Sequence, residues 1–405
     1  MTTLESCVVL TGLDLTPTWC DQFSWEGDRI VQIKSVGPVT TLERPTMVIL
    51  PGLVNGHTHV GDSLLPEGAT GLTLEEGFFR PDGYKYRALA EAGEGDLWKS
   101  LERCHQAMIS GGTVLHVDFR EQGFTGARML REVSHHSGLD SIILSQFEHP
   151  PFSEEQLRAN EKELDPRWIQ ELDEILNVSN GFSESTINDL TDPAWKQIYQ
   201  ATEDWDGYRA IHCLESESYR ETSLKITGRG DLSRALNVFK PHLVVHMTVA
   251  NDEEIAQLQA SGAGCVVNPR ANLTLGLPVP PLRKLWEAGI PLLLGTDNVM
   301  LNEPDLFREM DITLRLLRSQ FGDPRYPDPV EVLKMTTVNP AKVLPGCPSG
   351  ILEEGGEATF CMVDFRAPHL RNSRHILGSL VSRVSREDVV GTVRKGNLLY
   401  ERNGT

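Results

Sequence analysis

Two histidines that flank a single residue follow an apolar run near residue 50, and this pattern constrains the fold most. The run 47–50 (MVIL) leads through Pro51-Gly52-Leu53-Val54-Asn55-Gly56 to His57 and His59. In a β-strand residues i and i+2 face the same side, so both imidazoles would project together from the end of a strand. Two neutral imidazoles held in this way can bind one cation. Because such pairs also occur on solvated strands, the pair by itself leaves both interpretations open.

Composition excludes several classes of partner. The formal net charge of −19 argues against binding of nucleic acid and of anionic membranes. No run of about 20 apolar residues is present, and the N-terminus lacks the basic and apolar regions of a signal peptide. The seven cysteines are scattered, which favours reduced thiols. We therefore expect a cytoplasmic protein that acts on a small-molecule substrate, with a homo-oligomer as an open option.

Eight apolar, β-branched runs bounded by turn residues predict buried strands. They cover residues 48–54, 114–119, 141–147, 176–182, 208–214, 243–247, 264–268 and 291–296. Segments of helical period lie between most of them, including 97–109, 252–260 and 282–288. Alternating strands and helices in this number predict a closed (β/α)₈ barrel of the TIM type. An open doubly wound sheet is the alternative, but it would give no reason for ligands on several non-adjacent strands.

Both ends of the chain lie outside this barrel. Residues 1–46 and 346–405 carry short strand-like runs, whereas residues 47–345 hold the alternating pattern. We predict one small β-sandwich-like domain assembled from the two termini. The segment 61–96 is rich in Gly, Pro and aromatic residues and directly follows the histidine pair, which favours a lid over the site.

Further candidate ligands end other predicted strands. His212 ends strand 5, His246 lies near the end of strand 6, and Asp297 closes strand 8. Each has a simpler interpretation, since a lone histidine is often a hydrogen-bonded core residue and an aspartate after Gly-Thr often caps a helix. In a barrel, however, strand ends converge at one face. Together with the first pair they predict a mixed nitrogen and oxygen site suited to zinc or ferrous iron.

Several longer motifs carry a family resemblance. They are 50–59 (LPGLVNGHTH), 212–215 (HCLE), 245–248 (VHMT), 268–273 (NPRANL), 294–298 (LGTDN) and 336–341 (TTVNPA). With these motifs the chain resembles the amidohydrolase superfamily, in its branch of cytosine-deaminase-like aminohydrolases. The match covers nearly the whole chain.

The resemblance implies a role for each site residue. One divalent metal, with zinc preferred over iron, would be held by His57, His59, His212 and Asp297. Asp297 would also take part in catalysis, Glu215 would shuttle protons, and His246 would face the substrate. Glu215 follows His212 by three residues, so a regular strand would turn the two side chains to opposite faces. The strand must therefore end or bulge at residues 213–214, or Glu215 is a surface carboxylate.

The expected reaction is hydrolytic deamination of an amino-substituted N-heterocycle of the pyrimidine, purine, pterin or triazine type. A metal-activated hydroxide would attack the ring carbon while Glu215 moves the protons. Hydrolysis of a cyclic amide or imidazolone-type ring is the alternative for the same site. A non-catalytic barrel protein is a third hypothesis, from another class.

Departures from the family pattern bear on the metal and the substrate. Predicted strand 4 contains no lysine of the kind that bridges two metals in binuclear members, so we expect one metal. The region 181–186 (GFSEST) lacks the histidine that nucleoside-type deaminases carry there, which argues against a nucleoside substrate. Arg120, Gln146 and Arg270 follow strands 2, 3 and 7 and are candidate substrate contacts. For each arginine a salt bridge within the loops is the alternative.

Overall fold

A computed structural model describes residues 1–39, 44–205 and 207–402. Its strands fall into two sheets. In chain order they are β1 (Thr2–Thr11), β2 (Thr16–Glu26), β3 (Arg29–Pro38), β4 (Met47–Pro51), β5 (Leu53–His59), β6 (Thr113–Arg120), β7 (Asp140–Ser145), β8 (Gly181–Phe182), β9 (Tyr208–Cys213), β10 (Leu243–His246), β11 (Gly264–Val267), β12 (Leu292–Leu294), β13 (Asp297–Asn298), β14 (Phe360–Asp364), β15 (Val389–Arg394) and β16 (Asn397–Glu401).

Helices follow most of the barrel strands, as the periodicity predicts. The α-helices are α1 (Leu74–Phe78), α2 (Tyr84–Glu91), α3 (Glu94–Ser110), α4 (Gly123–Ser137), α5 (Glu154–Ala159), α6 (Pro166–Val178), α7 (Asp192–Glu203), α8 (Glu217–Thr227), α9 (Asp231–Val238), α10 (Asp252–Ser261), α11 (Pro269–Thr274), α12 (Leu282–Glu287), α13 (Leu306–Phe321), α14 (Pro329–Lys334), α15 (Pro340–Val343) and α16 (Ile376–Ser382). Short 3₁₀ turns cover Val60–Leu64, Ile187–Asp189 and Arg386–Asp388. The predicted cap of α10 is present, since the Asn251 side chain accepts a hydrogen bond from the Glu254 N–H.

The larger sheet is a closed barrel of parallel strands. Its order is β12-β11-β10-β9-β8-β7-β6-β5-β13. Strands β12 and β13 are two parts of one final strand, because only Gly295 and Thr296 separate them. β12 pairs with β11 and β13 pairs with β5, which joins the two edges. The predicted (β/α)₈ barrel is confirmed, and the open doubly wound sheet is excluded.

The sequence prediction of strand 4 at residues 176–182 is only partly correct. Residues 176–178 form the last turn of α6, where Leu172, Ile175 and Leu176 make its buried face, and only Gly181–Phe182 pair as β8. The apolar residues of 176–178 therefore follow a helical period and end the preceding helix. Gly181 is required in this short strand, because a Cβ there would lie 1.9 Å from the Tyr208 carbonyl oxygen.

The first predicted strand also divides in two. β4 joins the terminal sheet, where it pairs with β1 and β14, and β5 starts the barrel after Gly52. The apolar run 47–50 therefore packs in the terminal domain, whereas the histidine pair lies in the barrel. The proposed domain limits at 46/47 and 345/346 stay a prediction.

Both chain termini build the seven-stranded second sheet, whose order is β16-β15-β14-β4-β1-β2-β3. The sheet folds over itself, since Phe360 on β14 packs edge-on against Phe23 and Trp25 on β2, with ring centroids 5.0 Å apart in each pair. These strands are not neighbours in the sheet, so the contact crosses its interior. This is the sandwich-like composite domain that the sequence predicts.

Two further expectations concern the chain as a whole. All seven cysteines are free. Across the three described ranges, no helix combines the length and apolar character that a membrane crossing needs. A cytoplasmic location stays a prediction.

Candidate metal centre and active site

Four side chains from three parts of the barrel meet at the C-terminal ends of its strands. His57 and His59 end β5, His212 lies near the end of β9, and Asp297 begins β13. The Nε2 atoms of His59 and His212 are 3.3 Å apart. Asp297 Oδ1 lies 3.2 Å from His57 Nε2 and 3.8 Å from His59 Nε2. All four residues are buried.

These donors fit a divalent metal ion. A tetrahedral ion with metal–nitrogen distances of about 2.0–2.1 Å separates its ligand atoms by roughly 3.3 Å. Within the described residues, both ring nitrogens of the buried His57 lack a hydrogen-bond partner. Buried polar groups are nearly always paired, so this imidazole requires a ligand that uses its lone pair. Three imidazoles and one carboxylate form a donor set that suits zinc.

Electrostatics keep three of the four donors in the forms that bind metals. Burial lowers the pKa of His57 to about 3 and that of His212 well below its ordinary value, so both rings are neutral. Burial alone would raise the pKa of Asp297, but the adjacent imidazoles, His57 first, outweigh it and lower that pKa, so Asp297 is a carboxylate. For His59, burial and the charge of Lys85 lower the pKa, but Glu121 and Asp297 outweigh them and raise it.

Hydrogen bonds hold the metal-facing strand in place. The Thr58 hydroxyl and the Val60 N–H each donate to Asp118 Oδ1 at 2.8 Å. Asn55 bridges to the last strand, because its Nδ2 donates to Thr296 Oγ1 at 2.8 Å and its Oδ1 accepts from the Thr296 N–H at 3.1 Å. The backbone beside His57, His59 and Asp297 is thus fixed from both neighbouring strands.

Two hydrogen-bond acceptors orient the imidazole of His59. His59 Nδ1 lies 2.8 Å from Glu121 Oε1 and 3.0 Å from the carbonyl oxygen of Phe119. Both are acceptors, so Nδ1 carries the hydrogen and the Nε2 lone pair faces the other donors. Glu121 is itself buried.

Glu215 turns into the barrel as the sequence requires. β9 ends at Cys213, and Leu214 has a φ of 53°, in the left-handed region. The change of direction brings Glu215 Oε1 to 3.5 Å from His246 Nε2, while the Tyr219 hydroxyl donates to its Oε2 at 3.0 Å. Burial, together with the nearby charge of Asp297, raises the pKa of Glu215. The predicted end of the strand is confirmed, and Glu215 is not a surface carboxylate.

His246 and Asp297 share an unusual backbone conformation. Their φ angles are 81° and 62°, where residues with a side chain are uncommon. Each such residue costs on the order of 1–3 kcal/mol and persists where the surroundings enforce it, often at active sites. Asn272 Nδ2 lies 3.0 Å from His246 Nδ1. The amide donates to this nitrogen, which leaves the ring hydrogen on Nε2, on the side of Glu215.

The three candidate substrate contacts lie outside the cavity at this site. Arg120 bonds to the Gly126 carbonyl oxygen and the Gln122 side chain and contacts Glu121. Arg270 pairs with Glu309 at 3.5 Å. Arg120, at the end of β6, contacts the adjacent Glu121, as the salt-bridge alternative expects, whereas Arg270 on α11 contacts Glu309 on α13 instead of a loop carboxylate. Gln146 is buried but does not line the cavity.

A small cavity opens directly onto the donor atoms. The space within it that water could occupy is about 30 Å³. The residues that line it are His59, Leu74, Phe78, Lys85, Tyr86, Ser185, His212, Glu215, Tyr219, His246, Asp297 and Asn298. Helices α1 and α2 of the 61–96 segment cover one side, so the segment lies where the sequence places a lid. Lys85 was missed, because nothing in its local sequence separates it from a surface lysine.

Comparisons with known proteins agree with this geometry. The sequence model of the amidohydrolase family matches residues 48–399. A protein of Methanothermobacter thermautotrophicus named "Putative aminohydrolase" is 32% identical over 98% of this chain and 99% of its own. The 5-methylthioadenosine/S-adenosylhomocysteine deaminase of Syntrophobacter fumaroxidans is 29% identical over 91% of this chain and 86% of its own.

A solved structure supports the same assignment at the level of the fold. An adenosine deaminase from Xanthomonas campestris, with bound zinc, superposes with a TM-score of 0.83 at 21% identity and covers 98% of this chain and 92% of its own. The family match spans most of the sequence, and the barrel, the terminal sheet and the donor set accord with it. The chain belongs to the amidohydrolase family.

Proposed function

We propose that this protein is a metal-dependent aminohydrolase that removes an amino group from a small N-heterocycle by hydrolysis. One observation carries the proposal: Glu215 and His246 lie beside the donor set within one cavity, 3.5 Å apart at Oε1 and Nε2. A proton-transfer group next to a metal site is what hydrolysis of a ring amidine needs. The names of the relatives, which include deaminases of purine compounds, support the reaction type.

His57, His59, His212 and Asp297 would hold a single divalent cation, with zinc preferred. When bound there, the cation supplies a water nucleophile at neutral pH and polarises the reacting centre. The short strand β8, Gly181–Phe182, contributes no lysine that could bridge a second ion, and this agrees with a single metal. Zinc in the related adenosine deaminase structure supports the choice of metal.

The remaining groups move protons and position the substrate. Asp297 accepts the proton that leaves the water. Glu215, with its raised pKa, protonates the ring nitrogen next to the reacting carbon. The Glu215 carboxylate then takes the proton of the added hydroxyl group and delivers it to the amine, so that the C–N bond breaks and ammonia leaves an oxo group on the ring. The proton held by Asp297 restores Glu215 for the next turnover. His246 donates from Nε2 toward the developing tetrahedral centre, because Asn272 occupies its Nδ1. General acid–base assistance of this kind contributes about 10²–10⁴-fold to the rate.

The cavity favours a free heterocyclic base over a nucleoside. The space in this cavity that water could occupy is about 30 Å³, far below the roughly 300–1,000 Å³ of typical ligand cavities, so its size does not discriminate between the two and the preference comes from the lining. Ser185 lines the cavity from the segment 181–186, where nucleoside-type relatives carry a histidine. Phe78 and Tyr86 of the lid provide aromatic surfaces for a flat ring.

Ammonia release tests the proposal. Zinc-loaded and iron-loaded protein would be assayed against amino-substituted pyrimidines, purines, pterins and triazines, with bound metal quantified. We expect release from at least one compound, reduced by 10²-fold or more in Glu215→Gln without loss of metal. Glu217→Gln is the matched control, because that side chain is exposed and pairs with Arg220.

Two results would contradict the proposal. Equal turnover by wild-type protein and Glu215→Gln would remove Glu215 from the chemistry. A fully metallated protein that releases no ammonia, but opens a cyclic amide to a carboxylate, would assign the site to ring hydrolysis.

A further inference from the structure

Lys85 is a buried cation beside the candidate metal centre. It lies on α2 within the lid, is 2% exposed and lines the cavity. Its Nζ is 2.5 Å from Glu121 Oε1 and 3.3 Å from His59 Nδ1. It also lies within 6 Å of the rings of Phe78 and Tyr86, at 5.9 and 5.6 Å.

Most of the hydrogen-bonding capacity of this ammonium is unused. A lysine ammonium has three N–H donors. Glu121 accepts one of them. His59 Nδ1 cannot accept another, because it carries a hydrogen that points to Glu121 and to the Phe119 carbonyl oxygen. Within residues 1–39, 44–205 and 207–402 the structure gives Lys85 no other acceptor, so two donors are left beside the cavity.

The buried carboxylates Glu121 and Asp62 balance the charge of Lys85, but they leave two of its N–H donors without an acceptor among the described residues. Glu121 already has a second cation, since Arg120 Nη1 lies 3.4 Å from its Oε2, and it accepts from His59 as well. Burial of an ammonium costs free energy unless its donors are satisfied. A ligand atom that accepts hydrogen bonds would complete the set.

We propose that Lys85 binds an exocyclic oxo oxygen of the substrate, so that the preferred substrates are amino-oxo heterocycles. This inference rests on the proposed aminohydrolase function and narrows its substrate class. Glu215 and Tyr219, which line the same cavity, serve the reacting amidine part of the ring. The Tyr86 and Ser185 hydroxyls, 3.0 Å apart, supply further polar contacts on the side of Lys85.

Matched substrate pairs test the role of Lys85. Each pair differs only by an oxo group in place of an amino group: ammeline and melamine, guanine and diaminopurine, cytosine and diaminopyrimidine. In the wild type we expect a higher kcat/KM for the oxo member. Lys85→Met keeps the aliphatic chain and removes the donors, and it should lower kcat/KM for the oxo member by about 10- to 100-fold, mainly through KM. The amino-only member should change little.

Two controls separate substrate binding from a structural role. Lys34→Met removes an exposed lysine of the terminal sheet and should leave every value unchanged. The double variant Lys85→Met/Glu121→Gln removes both partners of the buried ion pair and keeps the test valid if Lys85→Met alone folds poorly. It is assayed at saturating zinc, because loss of Glu121 is expected to weaken metal binding. In both variants bound metal and thermal stability are measured beside the kinetics.

Each result decides between the hypotheses. A loss restricted to the oxo members, in protein that retains its metal, supports the proposal. An equal loss for both members of a pair, or a loss of metal in Lys85→Met, would assign Lys85 to support of Glu121 and overturn it. Wild-type turnover with preference for amino-only members would overturn this inference and leave the aminohydrolase function intact. If the metallated protein releases ammonia from none of these compounds, the result contradicts both this inference and the proposed aminohydrolase function.

Discussion

Glu121 Oε1 accepts a hydrogen bond from His59 Nδ1 at 2.8 Å, so this carboxylate orients the imidazole from the side opposite to the candidate metal ligands. Loss of such an outer partner typically lowers metal affinity by 10–100-fold, because the ring orientation and the basicity of Nε2 both change. We predict a decrease of that size for Glu121→Gln, measured by zinc competition with a chromophoric chelator. Glu132→Gln, an exposed helical glutamate that contacts Arg128, is the control. Unchanged zinc affinity in Glu121→Gln would show that Glu121 does not support His59.

Metal binding should stabilise the fold. Among the described residues neither ring nitrogen of the buried His57 has a hydrogen-bond partner, and His59 and His212 face one another through Nε2. Ligands that bind only the native state add about 4.1 kcal/mol at a free concentration 1,000 times Kd. We therefore expect zinc to raise the unfolding temperature and a chelator to reverse the change. In His57→Ala the zinc response should be lost, whereas an undiminished response would place the metal elsewhere.

Asn272 should control the ring hydrogen of His246. Its amide donates to Nδ1 at 3.0 Å, which keeps the hydrogen on Nε2, where it faces Glu215 and the cavity. Removal of the amide leaves the buried Nδ1 without its nearest donor, which costs about 1–3 kcal/mol. Asn272→Ala should lower kcat by roughly 10-fold or more, by the same conversion, and leave the zinc content at the wild-type value. Asn237→Ala, on the exposed face of α9, is the matched control. A large change in zinc content would assign Asn272 to the metal site instead.

The raised pKa of Glu309 predicts that the stability of the fold depends on pH. This carboxyl is fully buried near Arg270, and burial raises its pKa from 4.5 to about 8 in the folded protein. Between these values the folded state holds a proton that the unfolded state has released, so the free energy of unfolding falls as pH rises. Glu309→Gln removes this contribution.

The stability of Glu309→Gln relative to wild type should therefore increase steadily from pH 4.5 to pH 8. Denaturant unfolding of the zinc-free proteins across this range measures the difference. Glu287→Gln is the control, since that side chain is half-exposed and pairs with Arg283. A difference that stays constant with pH, or decreases, would contradict the raised pKa.

Local sequence determined much of the barrel. Strands and helices were predictable where one face of each element is buried, because the apolar period then matches the backbone period. The same reasoning failed at 176–178, where the apolar residues continue the buried face of α6 toward Val178. Two apolar residues around Asn177 are too few to separate a strand from the end of a helix. The run 47–50 was a strand as expected, but its pairing partners, β1 and β14, lie far away in the sequence.

The residues of the candidate site also fall into those that the sequence predicts and those that it does not. Sequence alone could place His57, His59, His212, His246 and Asp297 together, because each lies at or near the end of a predicted strand, and parallel strands bring such ends to one face. The choice of ligands and the role of Glu215 came from the family resemblance. Lys85 and Ser185 come from connecting segments, whose position follows from packing across the barrel mouth. Arg120, at the end of β6, and Arg270, on α11, show the converse, since both guanidinium groups contact carboxylates and backbone oxygens instead of lining the cavity. The strand pattern predicted where the candidate donors meet, and only tertiary packing decided which other polar groups line the cavity.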